Sequence, residues 1–129
     1  MLDTNICIYL IKKKPEKVVE KLQKTGVGNV CISAITLSEL EYGVEKSSYK
    51  DKNRLALMKF LAPIEVLDFD NRAAHMFGLI RAYLEKKGKI IGPFDLQIAA
   101  HALLRGFTLV TNNKKEFSRI PNLKVENWT

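Results

Sequence analysis

Four carboxylates stand where a strand-like run gives way to a turn or helix: Asp3, Glu39, Asp95 and Glu116. Asp3 directly follows the apolar pair Met1-Leu2. Glu39 falls in the first turns of a helix expected after the run Val30-Cys31-Ile32. Asp95 sits in the first turn of a helix opened by Pro93, and Glu116 comes five positions after a run from Phe107 to Thr111. Carboxylates packed together repel and raise one another's pKa, so a cluster is costly unless a cation neutralises it. Oxygen-only ligands select a hard ion, Mg2+ or Mn2+, over zinc. Such an ion makes water more acidic, and two of them about 3.5–4 Å apart would stabilise both the attacking and the leaving oxygen of a phosphodiester.

Each acid also has a plainer reading. Asp3 could cap a helix, and Thr36-x-x-Glu39 has the pattern of a capping box. Asp95, three positions into its helix, favours the helix dipole, and Glu116 could be a solvated surface residue. Convergence in space is what separates a nuclease from its rival, a non-catalytic basic α/β module that binds RNA or a protein partner. A DNA-directed nuclease would share the same acids, because contact with a 2′-hydroxyl has no sequence signature.

The surrounding pattern alternates short β-type runs with helices. Asp3-Thr4-Asn5 opens a helix through Ile6, Tyr9 and Leu10. A second starts at Pro15 and ends at Gly26–Asn29. Further helices are expected over 35–46, 51–61, 70–87 and 93–105, with a turn of helix at 114–117. Strands are expected at 30–32, 64–69, 107–111 and 123–125. Met1-Leu2 is too short for a full strand unless residues precede it. The spacing of Ala73, Ala74, Phe77, Ile80 and Leu84 marks the longest amphipathic helix. Strand and helix in alternation imply βαβ units. The expected architecture is α/β: one three-layer α/β/α domain over 1–129 with a mostly parallel central sheet. In such sheets ligands collect at the carboxyl ends of the strands, where strand order reverses. That is where the four acids would lie.

The 129 residues carry 21 Lys and Arg against 14 Asp and Glu, a net charge of +7 and a pI near 9.5. This favours polyanionic partners, with Lys12–Lys14, Lys86, Lys87, Lys89, Lys114 and Lys115 as candidate phosphate contacts. At 47% hydrophobic side chains, wholesale disorder is excluded. No apolar run approaches a membrane span, and Asp3 before Lys12–Lys14 reverses the order of a secretory signal, so a cytoplasmic protein without membrane association is expected. Cys7 and Cys31 are expected to be buried free thiols. His75 and His101 lack ligand partners at zinc spacing and read as packing or surface residues. Phosphate-binding glycine loops and a nucleophile elbow are absent.

These residues carry a family resemblance along essentially the whole chain. Met-Leu-Asp-Thr-Asn (1–5), Ser-Glu-Leu-Glu-Tyr-Gly (38–43), Gly-Pro-Phe-Asp-Leu-Gln-Ile-Ala-Ala (92–100) and Leu-Val-Thr-Asn-Asn-Lys-Lys-Glu-Phe (109–117) resemble, in order, the segments of PIN-domain ribonucleases of the VapC toxin family. The resemblance implies a Mg2+- or Mn2+-dependent endoribonuclease that cuts structured RNA, often tRNA and here in the first place initiator tRNA, and arrests translation. It also implies a VapB-type antitoxin, a homodimer and a toxin–antitoxin hetero-oligomer. Carried over by position, the acidic set is Asp3, Glu39, Asp95 and Glu116, with Thr4, Asn5 and Thr111 as polar residues lining the pocket. Two departures stand out. Many relatives have Asp where this chain has Asn113, which leaves Glu116 to supply the fourth carboxylate and Asn113 to hydrogen-bond or ligate through its amide. The first strand is also nearly absent, which would leave Asp3 less well supported.

Overall fold

In a strand, successive side chains point to opposite faces of the sheet. Three pairs of neighbours here do so. Met1, Cys31 and Leu109 join one hydrophobic cluster, while Leu2, Ile32 and Val110 join another. The first cluster is completed by Ile80 and Leu84, by Leu96, Ile98, Ala99 and Ala102, and by Phe117 and Ile120. The second is completed by Ile6, Cys7 and Leu10, by Val18, Leu40 and Val44, and by Leu57 and Trp128. These three central segments are therefore buried on both faces, and read as continuous apolar runs for that reason.

A computed structural model describes residues 1–129. Its helices are α1 (Thr4–Lys12), α2 (Glu16–Thr25), α3 (Ala34–Glu45), α4 (Lys50–Leu61), α5 (Asn71–Lys86), α6 (Pro93–Arg105) and α7 (Lys114–Phe117). Its strands are β1 (Cys31–Ser33), β2 (Glu65–Leu67), β3 (Leu109–Val110) and β4 (Val125–Glu126). Helices α1 to α4 supply the second cluster and α5 to α7 the first, which gives the expected three layers. The strands pair in parallel, β1 with β2 and β3 with β4. Helix α6 starts at Pro93, whose missing N–H costs nothing there, and stops at Gly106 in the left-handed conformation that glycine adopts without penalty.

The first residues depart from expectation. Met1–Asp3 is not a poorly supported fragment but the seam of the sheet. Asp3 donates its backbone N–H to Val110 at 2.8 Å, and Val110 donates to Met1 at 2.9 Å, forming a parallel bridge between Leu2 and Val110. On the other side Leu2 donates to the Cys31 carbonyl at 2.9 Å. The spatial order is thus β2, β1, Met1–Asp3, β3, β4. A segment bonded to both neighbours and buried on both faces does not need length to be fixed. The strands are shorter than the sequence pattern implies, because apolar residues such as Phe107 and Phe69 continue past the last ladder bond.

Candidate active site

The chain leaves Met1–Asp3 toward β1 on one side of the seam, and β3 lies on the other. This is the strand-order reversal at which open α/β sheets bind ligands. The carboxyl ends of three adjacent strands present Asp3, then Ser33 leading into α3, then Thr111 leading to Asn112, Asn113 and α7. Helix α6 brings its first turn, with Asp95, to the same end.

Asp3 is 3% exposed. One carboxylate oxygen accepts from the Thr111 hydroxyl at 2.6 Å, and the other from the Thr4 N–H at 2.7 Å, so Asp3 also caps α1. Burial raises its pKa, these two hydrogen bonds oppose the rise, and the charge of Glu116 adds to it. The Thr111 hydroxyl, itself buried, also accepts from the Asn113 N–H at 3.0 Å. Glu39 accepts from the Thr4 hydroxyl at 2.6 Å, and Glu116 from the Asn113 amide at 2.7 Å.

Asp95 is the least compensated of the four. Its pKa is pushed up to about 6, first by burial and then by the charges of Asp3, Glu116 and Glu39, with no hydrogen bond to offset them. The structure therefore brings all four acids within electrostatic reach of one another. None of them forms a salt bridge; the ion pairs of the protein lie elsewhere, as between Arg54 of α4 and Glu41 and Glu45 of α3.

The donors fit a hard cation in chemistry and in charge: four carboxylates, no thiolate or imidazole, and no lysine or arginine to balance them. They do not yet surround one point. No three His, Cys, Asp or Glu side chains enclose a common ion position as they stand. Three of the four are held by hydrogen bonds, Asp3 by Thr111 and Thr4, Glu39 by Thr4 and Glu116 by Asn113, whereas Asp95 has none.

One of the plainer readings is set aside by these contacts. Thr36 and Glu39 form no capping box: Ser33 caps α3, accepting from the Ile35 N–H at 3.1 Å, and Thr36 is fully buried. Its hydroxyl lies 3.3 Å from that of Thr4, so Thr36 steadies the residue that holds Glu39. Lys12–Lys14 lie at the far end of α1 from Asp3, roughly 13 Å along the helix. Lys114 and Lys115, by contrast, are exposed next to Glu116.

Sequence reasoning missed three supporting residues. Ser33 receives the His101 ring, whose Nδ1 lies 2.8 Å from the serine oxygen. Burial lowers the His101 pKa, so it is a packing residue set edge-on to Phe69. Asn112 joins its oxygen to the Asn5 amide at 3.4 Å and donates to the Tyr9 hydroxyl at 2.9 Å, fastening the segment after β3 to α1. The Thr-Asn-Asn run was the available signal for Asn112; nothing local marked Tyr9.

Residues 1–123 match the model of the PIN domain. The chain is 50% identical over 129 residues to ribonuclease VapC2 of Rickettsia felis, covering 99% of this chain and 96% of the relative. It is 48% identical over 128 residues to the tRNA(fMet)-specific endonuclease VapC of Salmonella typhimurium, with the same coverage. Among solved structures it resembles VapBC2 of Rickettsia felis bound to a DNA fragment from their promoter, with a TM-score of 0.94 and 48% identity, covering 100% of this chain and 98% of that one.

Proposed function

The chain belongs to the PIN-domain family, among the VapC ribonucleases, and on that premise we propose that it is a metal-dependent endoribonuclease toxin that cuts structured RNA and so inhibits translation. Its substrate is tRNA, with initiator tRNA foremost, as the Salmonella relative's tRNA(fMet) specificity supports. A cognate VapB-type antitoxin neutralises it, and the pair forms a hetero-oligomer around a toxin homodimer in the cytoplasm. No helix is long and apolar enough to cross a membrane.

One observation carries this reading: four carboxylates from four separate segments meet at the strand-order reversal without a single cationic partner. Folding does not bring like charges together unless something else gains by it. Asp3 and Asp95 would be the primary ligands of Mg2+ or Mn2+, and Glu39 and Glu116 further ligands or acceptors of a water proton. When bound, the ion would neutralise the acids, acidify water and stabilise charge on the phosphodiester oxygens.

The chain's own groups do the positioning. Thr111 and the Thr4 N–H aim Asp3 and oppose the rise in its pKa, Thr4 orients Glu39, and Asn113 orients Glu116. Asn5 and Asn112 offer amides beside them. Lys114 and Lys115 draw in the phosphate backbone that the acids alone would repel.

The test is purified protein mixed with total tRNA, in manganese or in EDTA, resolved on a denaturing gel. Discrete fragments in manganese alone, absent for Asp95→Asn, are the expected result. RNA shifted on a native gel but intact in both conditions would make the protein a binder, and cleavage of single-stranded DNA in preference to RNA would overturn the substrate.

A further inference from the structure

Phe94 is the one phenylalanine of six that the fold leaves in water. Phe117 is fully buried, and Phe60, Phe69, Phe77 and Phe107 are half-buried, whereas Phe94 is 58% exposed. Its ring has no polar atom to justify that position. Nor does a cation cover it, unlike the exposed rings of Tyr42 and Tyr83, which have lysine ammoniums at 5.0 and 5.7 Å. Its place is fixed: it is the second residue of α6, held between Pro93, whose ring sets the backbone, and Asp95. Ile90, also exposed, adds apolar surface just upstream.

We propose that Phe94 is the stacking platform for an unpaired RNA base next to the acid cluster, an inference that rests on the nuclease reading above. The lysines draw in any phosphate backbone against the repulsion of the four carboxylates, so seating a particular nucleotide beside the acids takes a contact that does not depend on charge. An aromatic ring supplies it, because every nucleobase has a face to stack and the interaction is tolerant of sequence. Phe94 adjoins Asp95, so a base seated on it carries its own phosphate to the acids. An apolar ring also selects loops over helices, since a paired base has no free face. Lysines then set the long-range attraction and Phe94 sets which nucleotides settle there.

The experiment uses the full-length chain in EDTA, with a fluorescein-labelled RNA stem–loop and the fully paired duplex of the same stem, at low and moderate salt. Phe94→Ala is expected to weaken stem–loop binding roughly 5- to 150-fold, by the same factor at both salts, and to leave the duplex unchanged. Phe94→Tyr and Phe94→Trp should restore binding, and the new indole should be quenched by the stem–loop and not by the duplex. Phe94→Leu, apolar but without a ring, should stay weak. Matching circular-dichroism melts establish that each variant folds. Wild-type affinity in Phe94→Leu, or RNA binding indifferent to Phe94→Ala even where a protein partner is lost, overturns the proposal. If the wild-type chain still cuts tRNA in manganese, that failure is confined to Phe94; if it neither binds nor cuts RNA, the nuclease reading falls too.

Discussion

Asp3 and Thr111, 108 positions apart in the chain, are joined by a hydrogen bond of 2.6 Å in which the threonine hydroxyl donates to a buried carboxylate. That bond connects the seam of the sheet to the end of β3, and it opposes the pKa rise that burial imposes on Asp3. Thr111→Val keeps the volume and removes the donor. The variant should lose on the order of 1–3 kcal/mol at neutral pH. The loss should shrink as acid protonates Asp3, because the Thr111 bond favours the carboxylate: without it the folded pKa rises further above the unfolded value, a cost present at neutral pH and absent below that value. Denaturant melts at neutral and acid pH check this; equal losses at both would mean that Asp3 is not the group affected.

Asp95→Asn should abolish metal-dependent cleavage and still stabilise the metal-free fold. Wild-type Asp95 titrates near 6 in the folded state against 3.8 unfolded, so its charge opposes folding increasingly as pH rises from about 4 to about 6. The gain should be on the order of 1 kcal/mol above pH 6, after allowance for solvent screening, and should vanish below about pH 4. It survives the loss of the favourable helix-dipole position, since the net shift is upward. Thermal melts across pH are the measurement, and a destabilised variant at pH 7 would contradict the proposed repulsion.

Divalent-ion binding should be in competition with a proton. Below about pH 6 the metal-free site holds a proton on Asp95 that the cation must displace, so affinity should fall roughly tenfold per pH unit there and level off above. Calorimetry in buffers of different ionisation heat would register proton release approaching one per site at about pH 5 and little at about pH 8. Affinity that ignores pH over this range removes Asp95 from the ligand set.

Asn113 holds Glu116 and is itself neutral. Asn113→Ala should lower cleavage about 10- to 100-fold, the usual cost of losing a group that orients a ligand. Asn113→Asp should do something different: it replaces a donor with a like charge beside Glu116, lowering the metal-free melting temperature while tightening Mn2+ binding. Loss of activity without any change in either quantity would make Asn113 a substrate contact.

The placement of the acids was legible because it depends on strand–helix alternation, a periodic property that local sequence carries. The seam was less so. A strand of three residues is too short to display a period of two, and its central position is set by Cys31 and Val110, far away in the chain. The cap of α3 was less legible, because Thr36 and Glu39 match a capping-box pattern whereas Ser33, at the end of β1, makes the cap. Exposure was the hardest to read: Phe94 sits in a run as apolar as those that are buried, and only the layering of α6 against α5 reveals which side faces outward.

The seam also has a temporal consequence. Asp3 is made long before β3, yet it finds its place only after β3 has been made, and the last acid, Glu116, follows later still. Any nascent fragment lacking the final segment has neither the seam's second neighbour nor a complete set of carboxylates. The acid cluster is thus a product of the whole chain, complete only when the segment carrying Glu116 has been made and docked.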